Sequence, residues 1–182
     1  MLANLSNTFR KLSSKTWLIL LALAVEIFFF STLAPRMQAL IPTGPLDLKF
    51  FYTPDEAYSL VELYGEAGRA AYRIFDLTAD IIHPFAYTLF FGLLLSVVFQ
   101  RAFSSNSLFQ KFNVAPAISW FFDMLENAGV VTMLSIFPSK PAIIAWLTAI
   151  STSIKWTFFI VTIGLLLFGL VKAALNGFKK QA

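Results

Sequence analysis

The chain has no cysteine, one histidine and few charged residues, and each scarcity excludes a class of function. Without Cys in its 182 residues it cannot form disulfides, use a thiol nucleophile or supply the usual zinc and iron–sulfur ligands. Charged residues make up 13% of the sequence, against roughly 25% in soluble domains. This scarcity excludes a disordered chain and a nucleic-acid-binding protein. We therefore expect no nucleic-acid partner, and no cofactor is predicted.

Hydrophobic residues are abundant instead, and they occur in long runs. They make up 58% of the chain, which includes 21 Phe, and the mean hydropathy is +0.72. A helix needs about 20 apolar residues to cross the hydrocarbon core of a membrane. The sequence therefore predicts an all-α integral membrane protein, a four-helix bundle forming a single domain over residues 1–182. The predicted spans are residues 17–33, 75–99, 115–137 and 142–171.

The charges that flank these spans predict the orientation of the chain. Eight basic residues and no acid lie on one side, whereas the charges on the other side sum to zero. By the positive-inside rule, both termini should be cytoplasmic in a multi-pass protein of the plasma (inner) membrane. A cleaved signal peptide is the alternative for the first span, but Glu26 interrupts its apolar run and Pro35 follows the only suitable cleavage residue. The eight basic residues are Arg10, Lys11, Lys15, Arg101, Lys111, Lys172, Lys179 and Lys180.

The loop over residues 34–74 is the only long segment between predicted spans. Its prolines and Gly44 predict an irregular first part. Thr53 and Glu56 then predict a capping box around Pro54, which suits a first helical turn. The apolar residues beyond this point recur on one helical face, so we expect an amphipathic helix on the outer membrane surface that leads into the second span.

Two glycines in this helix leave its role open. Gly65 and Gly68 weaken the helix and are expected to bend it or divide it. In one interpretation the helix simply packs on the bundle. In the other it is a lid over a cavity and the glycines form its hinge.

Every predicted span carries ionisable residues, and these are the candidate site residues. A charged side chain at the bilayer centre costs about 2.5–3.5 kcal/mol on insertion scales. The polar stripes on the spans should therefore turn inward and share one core. The candidate catalytic residues are Glu126, Asp80 and Lys155. The candidate ligand-binding residues are Glu26, Asp76, His83, Tyr87, Asp123, Asn127, Ser151, Thr152 and Trp156.

Acids outnumber bases in this core, which leaves three interpretations. Lys155 should pair with Asp123 or Glu126, and the other carboxyls must be protonated, hydrated or paired with a cation from outside the chain. The residues could form a polar packing seam, a proton or ion pathway of a small transporter, or a cavity for a lipid-like or amine-bearing ligand with acid–base isomerase chemistry. The inner third of the spans is apolar, which favours a cavity that opens outward or sideways. A metal site is disfavoured because no Glu-x-x-His pair occurs on two helices.

The arrangement of these residues carries a resemblance to known membrane proteins. Tyr-Thr-Pro-Asp-Glu-Ala-Tyr at 52–58, Asp123-x-x-Glu126-Asn127 and Lys155-Trp156 resemble a family of small four-span bacterial membrane proteins without an assigned activity. The architecture is also similar to that of the EXPERA superfamily, the sterol isomerase and sigma-2 receptor type. This second resemblance implies a pocket lined by buried acids, with membrane lipid and a hydrophobic small molecule as partners. The oligomeric state stays open.

The charge asymmetry gives a test of topology. Single cysteines at positions 5 and 180 should resist an impermeant thiol reagent added to intact cells and react once the membrane is permeabilised. The chain has no native Cys that would react instead. Labelling of either position from outside intact cells would refute the orientation with both termini inside.

Overall fold

A computed structural model describes residues 2–181, which are helical apart from short connections and contain no strand. The two terminal residues of the predicted 1–182 domain lie outside the described residues, as do the side chains of 178–181, which include Lys179 and Lys180. A π-helical turn lies at Phe29–Leu33, and 3-10 turns lie at Leu46–Leu48 and Leu108–Val114. The α-helices are α1 Leu2–Leu12, α2 Thr16–Phe28, α3 Ala34–Leu40, α4 Pro54–Leu63, α5 Gly65–Asp76, α6 Ala79–Ala102, α7 Ala115–Ile136 and α8 Ala142–Gln181.

Three helical segments are long and apolar enough to cross a membrane. They are Thr16–Leu40, Gly65–Ala102 and Ala142–Gly177, and together they indicate a multi-pass membrane protein. The third predicted span, residues 115–137, coincides with α7. This helix has the length that a span requires, but its polar residues make it less apolar than the three segments named above. Its acids Asp123 and Glu126 are buried against neighbouring helices.

The first span continues well past the predicted end at residue 33. Its helix runs through Pro35 to Leu40, so the prediction of an irregular chain over residues 34–40 is wrong. Pro35 lies in the first turn of α3, directly after the π-helical turn, where a missing backbone N–H is tolerated. The irregular part of the loop is confined to residues 41–53, apart from one 3-10 turn.

The predicted helix start at Thr53 is confirmed. Glu56 N–H donates to the Thr53 hydroxyl, and Glu56 Oε2 accepts from Thr53 N–H at 2.7 Å. Hydrogen bonds from Thr53 hold the pKa of Glu56 below its usual value. The helix divides at Gly65, whose φ of +64° separates α4 from α5. Gly68 is instead buried within α5.

The apolar face of α4 packs against other helices of the protein, whereas the sequence predicted that this face lies on the outer membrane surface. Tyr58 and Val61 belong to a buried cluster with Met133 of α7 and Ala145 of α8. The Tyr58 hydroxyl also donates to the Pro141 carbonyl at 3.0 Å. The interpretation in which this helix packs on the bundle is therefore correct for α4.

Small residues allow α7 and α8 to approach closely. Ala145 and Ala149 of α8 are fully buried, and Gly129 of α7 faces Thr148. A Cβ built on Gly129 would lie 2.9 Å from the Cβ of Thr148, closer than real contacts allow. Small residues at such a contact bring two membrane helices together.

The two ends of the bundle differ in charge. At one end the Ser6 hydroxyl of α1 donates to the Gln110 carbonyl at 3.2 Å, and the Asn176 amide of α8 donates to the Ala102 carbonyl at 2.9 Å. This is the end where basic residues flank the helices. At the other end Lys140 contacts Glu62 at 2.8 Å.

The α7–α8 contact predicts opposite effects of one substitution at two glycines. Gly129→Ala should lower the free energy of unfolding by about 1–3 kcal/mol, because the added methyl overlaps Thr148. Gly164→Ala is the matched control in α8. It has open space around its Cα and should be neutral or stabilising, since Ala favours a helix by about 1 kcal/mol over Gly. Thermal unfolding in detergent measures both, and a rise in Tm for Gly129→Ala would contradict the close contact.

Candidate functional site

A cavity of about 710 Å³ lies between the first apolar segment and the walls formed by α6 and α8. Its volume falls within the roughly 300–1,000 Å³ of small-molecule sites. The lining includes residues from α2, α3, α5, α6, α7 and α8 and from the loop over residues 41–53. These residues are Leu23, Glu26, Phe29, Phe30, Ala34, Pro35, Met37, Gln38, Pro45, Asp47, Leu48, Phe75, Asp80, His83, Tyr87, Phe90, Phe91, Asp123, Lys155, Trp156 and Phe159.

Lys155 of α8 is the cation of the buried polar core. Its ammonium forms an ion pair with Glu126 and lies 3.6 Å from Asp123 Oδ1. The predicted pairing of Lys155 is thus confirmed, and it involves both carboxylates. Glu126 is fully buried and also accepts a 2.7 Å hydrogen bond from the Thr152 hydroxyl. Its charge is therefore compensated within the protein.

His83 forms a second ionisable group with two acids on the cavity wall. Its Nε2 lies 3.1 Å from Glu26 Oε2, and its Nδ1 lies 3.8 Å from Asp80 Oδ1. The imidazole is stacked on Phe29 with 3.8 Å between ring centroids. Glu26 Oε1 is buried and has no hydrogen-bond partner within residues 2–181. One oxygen of this carboxylate therefore has an unused capacity to accept a hydrogen bond.

Asp47 is a charged residue of the cavity lining that the sequence did not predict as a site residue. Its backbone carbonyl accepts from Lys155 Nζ at 3.3 Å and from Trp156 Nε1 at 2.9 Å. Its Oδ1 accepts from the Tyr72 hydroxyl at 2.8 Å. These contacts place the loop against α8 and α5, whereas the sequence indicates only that Asp47 is one of the charges in the loop over residues 34–74. Pro42, Gly44 and Pro45 indicate a turn, but nothing in their pattern identifies its partners.

Seven predicted site residues come together at the cavity, and five do not line it. Glu126 lies behind Lys155, and the Asn127 amide donates to the Asp80 carbonyl at 2.9 Å, which ties α7 to α6. The seven lining residues are Asp80, Lys155, Glu26, His83, Tyr87, Asp123 and Trp156. The five that are buried outside the lining are Glu126, Asp76, Asn127, Ser151 and Thr152.

Six phenylalanines also line the cavity, and the sequence did not assign them to the site. Phe91 meets Phe159 edge-on at 5.8 Å, and Trp156 meets Phe159 edge-on at 5.7 Å. Tyr87 joins this wall to the acids, because its hydroxyl donates to Asp123 Oδ2 at 3.0 Å. With 21 Phe in the chain, composition alone could not indicate which of them face the cavity.

The cavity is acidic at one part of its wall and apolar elsewhere. Glu26, Asp47, Asp80 and Asp123 contribute four carboxyls, whereas Lys155 and His83 are the basic groups in the lining. Within residues 2–181 no group of three or more His, Asp or Glu side chains has the arrangement of a metal site. The arrangement can hold a cation and can pass protons between neighbouring groups, and its apolar part can cover an apolar ligand.

Comparison of the chain with protein-family models, with curated proteins and with solved structures finds no match. The interpretation of the cavity therefore depends on its own geometry and chemistry.

The Lys155 cluster predicts which partner rescues its loss. Lys155→Met should lower the free energy of unfolding by about 3–5 kcal/mol, because it leaves buried carboxylates without a cation. Adding Glu126→Gln should recover most of this loss, since Glu126 is fully buried. Adding Asp123→Asn should recover less, because Asp123 faces the cavity, where water can solvate it. Thermal unfolding of the single and double variants measures the effect, and equal rescue by both amides would contradict this division.

Proposed function

We propose that this protein binds an amine-bearing amphiphile within the membrane. The observation that carries the proposal is one cavity whose wall is rich in carboxyls at one part and aromatic or aliphatic over the rest. A ligand with a cationic head and an apolar body matches both parts at once. A neutral lipid would add no positive charge to a wall in which four carboxyls face only Lys155 and His83, and a small polar cation would leave the apolar wall uncovered.

The cationic head would bind beside Glu26. The second oxygen of this carboxylate lacks a hydrogen-bond partner in the described chain, whereas Asp123 and Glu126 already contact Lys155. The ring of Phe30 lies in the same wall and meets His83 edge-on at 5.4 Å. An ammonium held by a carboxylate and flanked by aromatic rings is stabilised by charge and by cation–π attraction.

The apolar body would extend sideways toward lipid. Leu23, Phe30 and Leu48 line the cavity and are 37%, 62% and 62% exposed, so the rim is apolar. Exposed apolar side chains on membrane-length helices face hydrocarbon in a bilayer. This supports entry from the membrane itself, without a route through water.

The proposal also includes how the helices and the two termini are arranged relative to the membrane. Helix α7 would be a fourth span, with its acids shielded by α6 and α8, and both termini would be cytoplasmic in a plasma (inner) membrane protein. Helices α4 and α5 would then lie at the outer surface. The separation of the basic end from the Lys140–Glu62 end supports this orientation.

Acid–base isomerisation of the bound amphiphile is the second candidate. It is favoured by His83, which lies between Glu26 and Asp80 on the cavity wall. In such a reaction one carboxylate would remove a proton and the imidazole would return one at another carbon. A proton pathway has less support, because Phe90 and Phe91 line the cavity and apolar residues continue along α6 toward the basic end.

Binding can be tested with three probes that share one tail. Dodecylamine should raise the Tm of the detergent-solubilised protein, whereas dodecanol and dodecanoate should not, because only the amine supplies a cation to the acidic wall. A ligand at 100 times its Kd adds about 2.7 kcal/mol of stability, which corresponds to a Tm rise of several degrees at this size. Equal shifts from all three probes would contradict a role for the acids.

Two variants and one control test whether dodecylamine binds in this cavity. Glu26→Gln should abolish the shift caused by dodecylamine without unfolding the protein, whereas Glu66→Gln, the same change at an exposed acid of α5 outside the cavity lining, should leave it intact. Ala34→Trp should also abolish the shift by filling the cavity at constant charge. A normal shift in both Glu26→Gln and Ala34→Trp would place the amine elsewhere and end the proposal.

A further inference from the structure

A second cavity, of about 300 Å³, lies at the basic end of the bundle and shares no lining residue with the acidic cavity. It separates one face of α1 from the connection between α6 and α7. Every residue of its lining is small, polar or basic, in contrast to the aromatic cavity. The lining residues are Ala3, Ser6, Asn7, Arg10, Ser105, Asn106, Ser107, Gln110 and Lys111.

Specific contacts build this cavity by fixing α1 against the bundle. The Asn113 amide donates to the Ser6 carbonyl at 3.1 Å and to the Ser96 hydroxyl at 2.7 Å. Phe9 lies against Gly92 so closely that a Cβ there would be 2.8 Å from the ring. The position of α1 is thus set by buried contacts, and Ala3 leaves the space between α1 and the connection open.

The electrostatics of the second cavity favour an anion. Arg10 and Lys111 line it, and no acid occurs in the lining. The sequence has no acid at all over residues 1–25 or 81–122, the segments that surround it. Within the described part of the chain, neither Arg10 nor Lys111 takes part in an ion pair. Two cations and several hydroxyl and amide donors therefore converge on a space without a counter-charge.

The surroundings of the cavity indicate that the anion belongs to a lipid. Leu108 and Phe112 flank Lys111 in the chain and are 69% and 46% exposed. A free phosphate would make no use of these side chains, whereas the acyl chains of a phospholipid would cover them. Basic residues beside a membrane-length helix attract anionic headgroups. We propose that this cavity binds the phosphate headgroup of an anionic phospholipid, with its acyl chains against Leu108 and Phe112.

The test compares lipids added to detergent-solubilised protein. Phosphatidylglycerol should raise the Tm and should be retained in native mass spectrometry, whereas phosphatidylcholine and inorganic phosphate should do neither. Arg10→Gln with Lys111→Gln should weaken the apparent affinity for phosphatidylglycerol at least about tenfold, since each basic residue near an anionic surface contributes about fivefold in affinity. Equal effects of phosphatidylcholine, or an effect of inorganic phosphate alone, would overturn the assignment to an anionic lipid.

Matched variants distinguish binding of the lipid in this cavity from a general attraction of anionic lipid to the basic end of the bundle. Lys15→Gln with Arg101→Gln removes the same charge at the same end but outside the cavity lining, so it should keep at least half of the affinity. Ala3→Phe fills the cavity at an exposed position without changing charge, and it should also lose the lipid. If the double glutamine variant does not fold, Lys111→Gln alone still tests the site, because Lys111 is exposed. Full binding by Ala3→Phe, or equal loss in the control pair, would refute the proposal.

Discussion

A single buried ammonium, that of Lys155, joins the parts of this protein that are distant in sequence. It contacts two carboxylates of α7 and the backbone carbonyl of Asp47, so α7, α8 and the long loop all meet at one nitrogen. A cation at this depth is tolerated only when such partners surround it. The position of the loop, and with it one wall of the large cavity, therefore depends on the same group that neutralises the acids.

This ammonium also divides the acids into two sets with different consequences. Glu126 is fully buried, is paired with Lys155 and accepts a hydrogen bond from Thr152, so it holds α7 against α8 and does not face the cavity. Glu26 and Asp80 face the cavity around His83, and one Glu26 oxygen has no partner in the described chain. A buried ion-pair network and a cavity lined by acids, which the sequence presents as alternatives, are thus two neighbouring parts of one polar core.

The sequence predicted the features that depend on local pattern. The capping box at Thr53, the limits of α7 and the partners of Lys155 follow from short-range spacing and from the cost of a lone charge in lipid. It fails where the partner is a backbone group or where the local pattern is not distinctive. The sequence shows Asp47 only as a loop charge, because no local signal indicates that Lys155 and Trp156 donate to its carbonyl. Pro35 indicates irregular chain, because the π-helical turn that carries the helix through it has no distinct sequence pattern.

The two cavities differ in the sign of their charge, and an apolar layer separates them. Phe90 and Phe91 line the acidic cavity, and the next residue, Gly92, is covered by Phe9 of α1. Beyond it the polar contacts begin again at Ser96 and Asn113. A continuous ion path would need polar groups across this layer, because an ion in a dry apolar region loses its hydration without replacement. The same layer costs nothing if the acidic cavity only exchanges an amphiphile with lipid, since the ligand then enters and leaves on one side of the Phe9–Gly92 contact.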